Sequence, residues 1–446
     1  MAKRRTQRGR KEWPERLMEL WAGFFIAFYL LFPGFEGYTA ISRAKTWSFV
    51  VLAGLLLILG LCLLIRDIRK KTFRPPTPAQ IAALAFMTFT LLSAAFSEVE
   101  RGNPWYDPKS HEAALIVCLY VLLFLIVSRW GRPTERLFRV LFWSITVFSL
   151  ICLIQALGGN PLGFYPSGLS YYDGYGVAYK GAYAGTLGNV DVVSTFLTLP
   201  IPMLLLHTRG QKPKQAWPCW VLAAVCIGIL LWLRVLGGLV GLVLGGVICL
   251  IVLCPDPWRK WVLLGVGCLG ITALVLLWRF DLPGFFHELH EILHGNFSDK
   301  FGSGRFFIWR QMLERIPDRL WTGVGPDMVR YSGLEPFVRR DELGNAVLDA
   351  GGKLITATLT DGHCYPIHVL YCQGLPALLS WLSLVGITLF HWIKNRRDRA
   401  AAILGGAVVC FLCAMLFCIS SIIIMPFFWM TLGLLEAKVR QLREPL

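Results

Sequence analysis

The chain has 446 residues, 55% hydrophobic and only 16% charged, with a formal net charge of +16. A soluble chain of this length would form about three domains of about 150 residues and carry about 25% charged residues, so the charge is too sparse for that class. Disorder fails against the apolar content, and a nucleic-acid footprint fails because Lys and Arg sit between long apolar runs, not on one solvated face beside a core.

An integral membrane protein remains. A helix needs about 20 apolar residues to cross a hydrocarbon layer about 30 Å thick. Runs of that kind, bounded by charge, Pro or polar clusters, predict twelve spans, at 17–33, 47–65, 78–96, 113–128, 136–157, 187–206, 217–233, 235–253, 261–278, 365–390, 400–417 and 419–436. The close pairs at Arg234 and near Cys418 are the divisions on which everything downstream depends. The predicted class is an all-α integral membrane protein of about twelve transmembrane helices, with one long extracytoplasmic loop containing short amphipathic helices.

Basic residues in short loops orient such a chain. With the N-terminus inside, the segments 1–16, 66–75, 129–139, 207–216, 254–260, 391–399 and 437–446 hold 28 of the 44 Lys and Arg residues, and the short outward segments hold six. Both termini are therefore expected in the cytoplasm. The organisation expected is a basic cytoplasmic tail 1–16, a nine-helix membrane portion 17–278, an extracytoplasmic module 279–362, a three-helix portion 363–436 and a cytoplasmic tail 437–446. The basic start before the first apolar run also has the look of a signal peptide, but Tyr38-Thr39-Ala40 is a poor cleavage site and the first helix is expected to stay as an anchor. Nearly all of the thirteen cysteines fall in apolar runs, Cys364 being the main exception, so no disulfide framework is implied.

The cytoplasmic loops are about ten residues long and contain no GxxxxGK[ST] segment, which argues against ATP-driven work. Polar chemistry is expected on the outward side. There the loop 158–186 carries six tyrosines among glycines, suited to sugar rings and equally to an interfacial belt. The segment 279–362 holds ten basic and twelve acidic residues. Within it, apolar Phe306, Ile308, Trp309, Met312, Leu313 and Ile316 alternate with Arg310, Glu314 and Arg315, predicting an amphipathic helix along the membrane surface. His287, His290 and His294 share one helical face with Glu288 and Glu291 nearby, which fits either zinc or a plain interfacial helix.

Three ionisable positions need explaining. Arg234 interrupts two apolar runs, where an arginine either faces a cavity or snorkels from a tight turn. Asp191 follows Gly188-Asn189 at a helix head, where a carboxylate is favoured by the macrodipole. His363, in Asp361-Gly362-His363-Cys364-Tyr365, lies where the long outward segment meets the next span, and there it either caps locally or serves as a neutral general base.

Gly185-Thr186-Leu187-Gly188-Asn189 opening a span, an Arg starting a Gly-rich span, Gly304-Arg305-x-x-x-Trp309, Pro317, Gly323-x-Gly325-Pro326, and Gly362-His363 leading into Gly374-Leu375-Pro376 occur in that order. From about Gly185 to Leu378 this pattern resembles the O-antigen ligase and polymerase family, bacterial membrane glycosyltransferases acting on polyprenyl-diphosphate-linked glycans. The resemblance implies that His363 deprotonates an acceptor hydroxyl and that Arg305 and Arg234 bind the diphosphate, with Asn189, Asp361, Trp309 and Tyr183 as further substrate contacts. The family often has Asn after this His; here Cys364 follows, which puts an amide contact at that position in doubt. Implied with it are a polyprenyl (undecaprenyl) diphosphate glycan donor, a glycan, lipid or protein acceptor, residence in the bacterial cytoplasmic membrane with an extracytoplasmic site, and no metal or cofactor, two arginines taking the place of a divalent ion. The competing class is a polytopic secondary transporter or glycan flippase, against which stand the lack of an obvious internal repeat and the loop location of the candidate groups.

Overall fold

A computed structural model describes residues 13–37, 40–107, 112–159, 183–338, 345–349 and 351–443. Most of the basic tail, Tyr38 and Thr39 of the candidate cleavage site and residues 160–182 of the tyrosine-rich loop lie outside the described residues.

The chain is all-α apart from two ladders of two-residue strands, β1 (Tyr183–Ala184) with β2 (Gly188–Asn189) and β3 (Phe337–Val338) with β4 (Thr356–Ala357). The helices are α1 (Trp13–Leu31), α2 (Ile41–Arg69), α3 (Pro78–Ala95), α4 (Ala114–Trp130), α5 (Glu135–Ala156), α6 (Val190–Leu197), α7 (Pro200–His207), α8 (Pro213–Leu233), α9 (Leu236–Leu253), α10 (Asp256–Arg279), α11 (Phe285–Leu293), α12 (Phe301–Arg315), α13 (Tyr365–Lys394), α14 (Arg399–Ala414) and α15 (Met425–Arg443). Every one of the twelve expected apolar runs falls on a helix or a helix pair. Among the described residues, eight spans are long and apolar enough to cross a membrane, with α6 and α7 counted as one, and α4 and α14 are shorter apolar helices. The chain is thus a multi-pass membrane protein.

Local sequence explains the element ends. Thr77 and Gln80 form a reciprocal capping box at α3, with Pro78 at its first position, and Asp398 caps α14 by accepting from Ala401 N–H at 2.9 Å. The glycines of α9 are a packing surface. A Cβ at Gly241 or Gly245 would lie 2.3 or 2.4 Å from the Cα of Ala414 or Cys410 on α14, so only glycine lets the two backbones approach this closely.

Two boundaries differ from the expectation. The run 187–206 is two helices, interrupted before Pro200, whose ring cannot donate the N–H that would continue the first. The run 419–436 becomes helical only at Met425, leaving residues 415–424 as a non-helical strap between α14 and α15. α10 buries none of its residues: its apolar surface faces outward all round.

The segment 279–362 builds its own small core. Ile308 and Met312 of α12 pack with Val324, Met328, Leu359, Tyr371 and Cys372. α12 therefore turns its apolar face inward onto α13, where the sequence pattern suggested a helix lying along the membrane surface. Docking is made specific by a break in α13. Gly374 has φ +82 and Pro376 has no N–H, so the carbonyls of Tyr371 and Cys372 lose their usual partners. Val324 N–H and Gly325 N–H donate to them instead, at 3.0 and 2.8 Å, while Leu375 N–H donates back to Leu320 O at 2.8 Å. Ser93 Oγ on α3 adds a second donor to Cys372 O at 3.0 Å. The Gly323-x-Gly325-Pro326 and Gly374-Leu375-Pro376 motifs are two halves of one junction.

Candidate active site

His363 sits on the last turn of backbone before α13 and is part-buried. Its φ of +47° is left-handed, a strained conformation for a residue with a Cβ. Two contacts impose it. Asp361 Oδ1 accepts His363 N–H at 2.6 Å, closing a two-residue turn of the kind Asp favours. Trp309 Nε1 on α12 donates to Gly362 O at 2.8 Å. Just beyond, Tyr365 N–H donates to Met415 O at 2.8 Å and ties the start of α13 to the strap.

Arg305 reaches the same strap from α12. Residues Gly302, Ser303 and Gly304 are all left-handed, with φ of 61°, 57° and 86°, and this reversal turns Arg305 toward the bundle. Gly304 is required there, because a Cβ would lie 2.2 Å from the ring of Phe337. Arg305 Nε donates to Phe417 O at 2.9 Å and Nη1 to Gly302 O at 2.6 Å. Those bonds use two of the five guanidinium N–H donors, and the charge of the group acts on His363.

Burial, the largest influence, lowers the His363 pKa below its ordinary value; Arg305 and His368 act in the same direction, and Asp361 and Asp191 oppose them. The imidazole is therefore neutral at neutral pH, the form a general base needs. Asp361 is 9% exposed and shares its other oxygen between Ser420 Oγ, which donates at 3.1 Å, and His368 Nδ1 at 3.4 Å.

The structure thus brings Asp361, Arg305, Trp309 and Asp191 together with His363. Asn189 belongs to the edge of the group: its Oδ1 accepts Asp191 N–H at 2.7 Å, fixing the α6 start from which Asp191 acts. Tyr183 pairs with Asn189 across the β1–β2 ladder. Arg234 is the left-handed residue that ends α8, and it is exposed. Three residues later Gly237 packs on Phe417 and Cys418 of the strap, but Arg234 is not among the charged groups that act on His363. Cys364 is buried at the start of α13.

Sequence reasoning missed Glu112, Ser420 and His368. Glu112 is a carboxylate directly before an apolar run, and His368 lies five residues beyond His363, signals present in the sequence but indistinguishable there from ordinary capping. Of the histidines in and just after α11, His287 Nδ1 meets Asp281 Oδ1 at 2.7 Å, while His290 and His294, whose rings lie 4.3 Å apart, each bond a backbone carbonyl. No group of three or more His, Cys, Asp or Glu side chains suited to a metal ion occurs among the described residues.

Long apolar helices, with the segment 279–362 docked on a broken helix beside His363, define a multi-pass membrane protein. Residues 221–382 match the family model described as O-antigen ligase. The match spans Arg234, Arg305, Trp309, Asp361 and His363. No curated protein matches the chain.

Proposed function

We propose that the protein is a membrane glycosyltransferase that transfers or polymerises a glycan from a polyprenyl (undecaprenyl) diphosphate donor onto an acceptor hydroxyl. In this reading all twelve apolar runs cross the bacterial cytoplasmic membrane, both termini are cytoplasmic, and the module 279–362 lies outside. The observation that carries it is the grip of Asp361 and Trp309 on the left-handed loop of His363, with the charge of Arg305 acting on the same imidazole, inside the stretch that matches the O-antigen ligase model.

The chemistry follows from the groups. A diphosphate on the anomeric carbon is already a good leaving group, so the protein has to activate the acceptor and stabilise the departing charge. A ring nitrogen of neutral His363 takes the acceptor hydroxyl proton as that oxygen attacks the anomeric carbon. The bond from that carbon to the diphosphate oxygen breaks, its electron pair leaves with the diphosphate, and the anomeric configuration inverts. Arg305 and Arg234 stabilise the growing negative charge; a guanidinium stays ionised and pairs with two phosphate oxygens at once. Burial of His363 beside cationic Arg305 suppresses premature protonation of the base.

The test is His363→Ala, purified in detergent and given lipid-linked glycan and acceptor with no membrane compartments. Transfer by the wild-type protein and its loss in a folded variant are expected. Near wild-type transfer by the variant excludes His363 as base, and no transfer by the wild type favours a transporter.

A further inference from the structure

At the end of the bundle opposite His363, where α14 begins and α15 finishes, lies a cavity of about 310 Å³. On α15 its wall is Phe427, Met430, Thr431, Leu434 and Lys438, spaced i, i+3, i+4, i+7 and i+11 along one face of the helix. Along α6 and α7 the same spacing gives Phe196, Leu199, Pro200, Met203 and His207. α5 adds Leu137, Phe138 and Leu141 next to Glu135, and α14 adds Ile403 and Leu404 next to Arg399. Each stripe is mainly apolar and meets an ionisable residue at the same end. Phe196 and Phe427 at the floor are buried, while Glu135 and Arg399 at the rim are exposed.

The interior asks for no polar ligand atom. Thr431 Oγ1 donates to Phe427 O at 2.7 Å, and the His207 ring lies flat on Phe138 with centroids 3.5 Å apart. Such a wall gives water no partners, and an apolar void of about 150 Å³ already takes a benzene ring. Phe427 and Lys438 stand eleven residues apart on α15, about 16 Å at about 1.5 Å per residue. Half of a hydrocarbon layer about 30 Å thick is about 15 Å, so the depth is that of one acyl chain in one leaflet. The rim carries both signs of charge. Arg399 Nη1 lies 3.5 Å from Glu135 Oε1, Lys438 Nζ lies 3.1 Å from Asp398 Oδ2, and His207 Nε2 lies 3.6 Å from Glu135 Oε2. Arg399 and Lys438 suit a phosphate, and Glu135 and Asp398 suit an ammonium beside it.

We infer that this cavity binds a membrane phospholipid whose head group carries both a phosphate and an ammonium, with one acyl chain lying between α5, α7 and α15. Phosphatidylethanolamine has that head group. The chain end meets Phe427, whose ring packs on Tyr29 with centroids 5.4 Å apart, and Tyr29 Oη donates to Ile422 O of the strap at 2.5 Å. The lipid thus supports, from the far side, the strap that Arg305 and Tyr365 N–H hold. This site is separate from that of His363, and its test needs no glycan transfer.

The test uses the full chain purified in detergent, stripped of lipid, and given phosphatidylethanolamine with a photoreactive diazirine near the end of one acyl chain. Irradiation is expected to label α5, α7 and α15 around Phe138, Met203 and Phe427. Unlabelled phosphatidylethanolamine is expected to compete and to raise the melting temperature, because it binds the folded state. Met203→Trp fills the cavity and is expected to cut labelling at least tenfold. A second variant, Arg399→Gln with Lys438→Gln, leaves the interior intact and is expected to cut it at least fivefold. Phosphatidylglycerol, which has the phosphate without the ammonium, and diacylglycerol, which has neither, are expected to label at least fivefold more weakly with the same acyl probe. The inference is overturned if residues outside the cavity are labelled as strongly as those within it, or if either folded variant labels like the wild type. Equal labelling by phosphatidylglycerol overturns the head-group match. Displacement of the probe by a polyprenyl phosphate at lower concentration than by phosphatidylethanolamine makes the cavity a polyprenyl site instead and overturns the inference as well.

Discussion

Replacing Arg305 with Lys tests the site most directly. The guanidinium bridges two carbonyls, Phe417 O at 2.9 Å and Gly302 O at 2.6 Å, and so joins the left-handed start of α12 to the strap while keeping further N–H groups for a ligand. An ammonium offers a single nitrogen on a flexible stem. It can replace one of the two carbonyl bonds at most, and in doing so turns away from the ligand. A hydrogen bond to a charged group is worth about 1.5–3 kcal/mol. Loss of one carbonyl bond together with one phosphate contact therefore comes to about 3 kcal/mol, or about a hundredfold in kcat/KM for the donor. Initial transfer rates of the purified variant at varied donor concentration measure this, with thermal unfolding in the same detergent reporting on the fold. Arg310→Lys is the control. Arg310 lies on the same helix in an exposed pair with Asp299 at 2.6 Å, and solvent-screened pairs of that kind contribute little, so a change of no more than a few fold is expected. An Arg305→Lys protein transferring within twofold of wild type at unchanged stability would refute the bidentate role.

Two further outcomes follow from the same geometry. Because burial lowers the His363 pKa, its base form persists as pH falls through about 6.5, the free imidazole value, and the acid decline of the transfer rate is expected only below that; an acid limb centred above it contradicts the assignment. Gly374→Ala puts a Cβ 2.4 Å from Trp321 O at a backbone φ of +82°. Backbone strain of this kind costs about 1–3 kcal/mol before the clash is added, so a lower melting temperature and faster proteolysis within 320–326 are expected, and an unchanged melting temperature would show that the junction between loop and broken helix tolerates rearrangement.

Much of the site was legible because its residues carry types that stand out in an apolar chain. Arg305, Asp361 and His363 are polar groups beside glycines, Trp309 lies one helical turn beyond Arg305, and the structure assembles these four. Glu112, Ser420 and His368 were not legible. Each is one short polar residue at the margin of an apolar run, and such a position serves capping as readily as chemistry. Ser420 and His368 meet Asp361 directly and Glu112 meets Asp327, and the links of Ser420 and Glu112 span sequence separations that no local pattern encodes.

The sequence by itself determined the class. Twelve apolar runs and the concentration of Lys and Arg in alternate loops are properties of composition along the chain, and helix formation in an apolar medium is forced by the need to satisfy backbone groups locally. Only the tertiary structure decided the rest. A helix broken at Gly374 exposes carbonyls that a distant loop must fill, the strap 415–424 stays irregular because its carbonyls are taken by Arg305 and by Tyr365 N–H, and His363 holds a left-handed backbone because Asp361 and Trp309 grip the turn from either side. Apart from the local Asp361–His363 turn, these are contacts between residues far apart in the chain, and their energy exists only once the helices have packed.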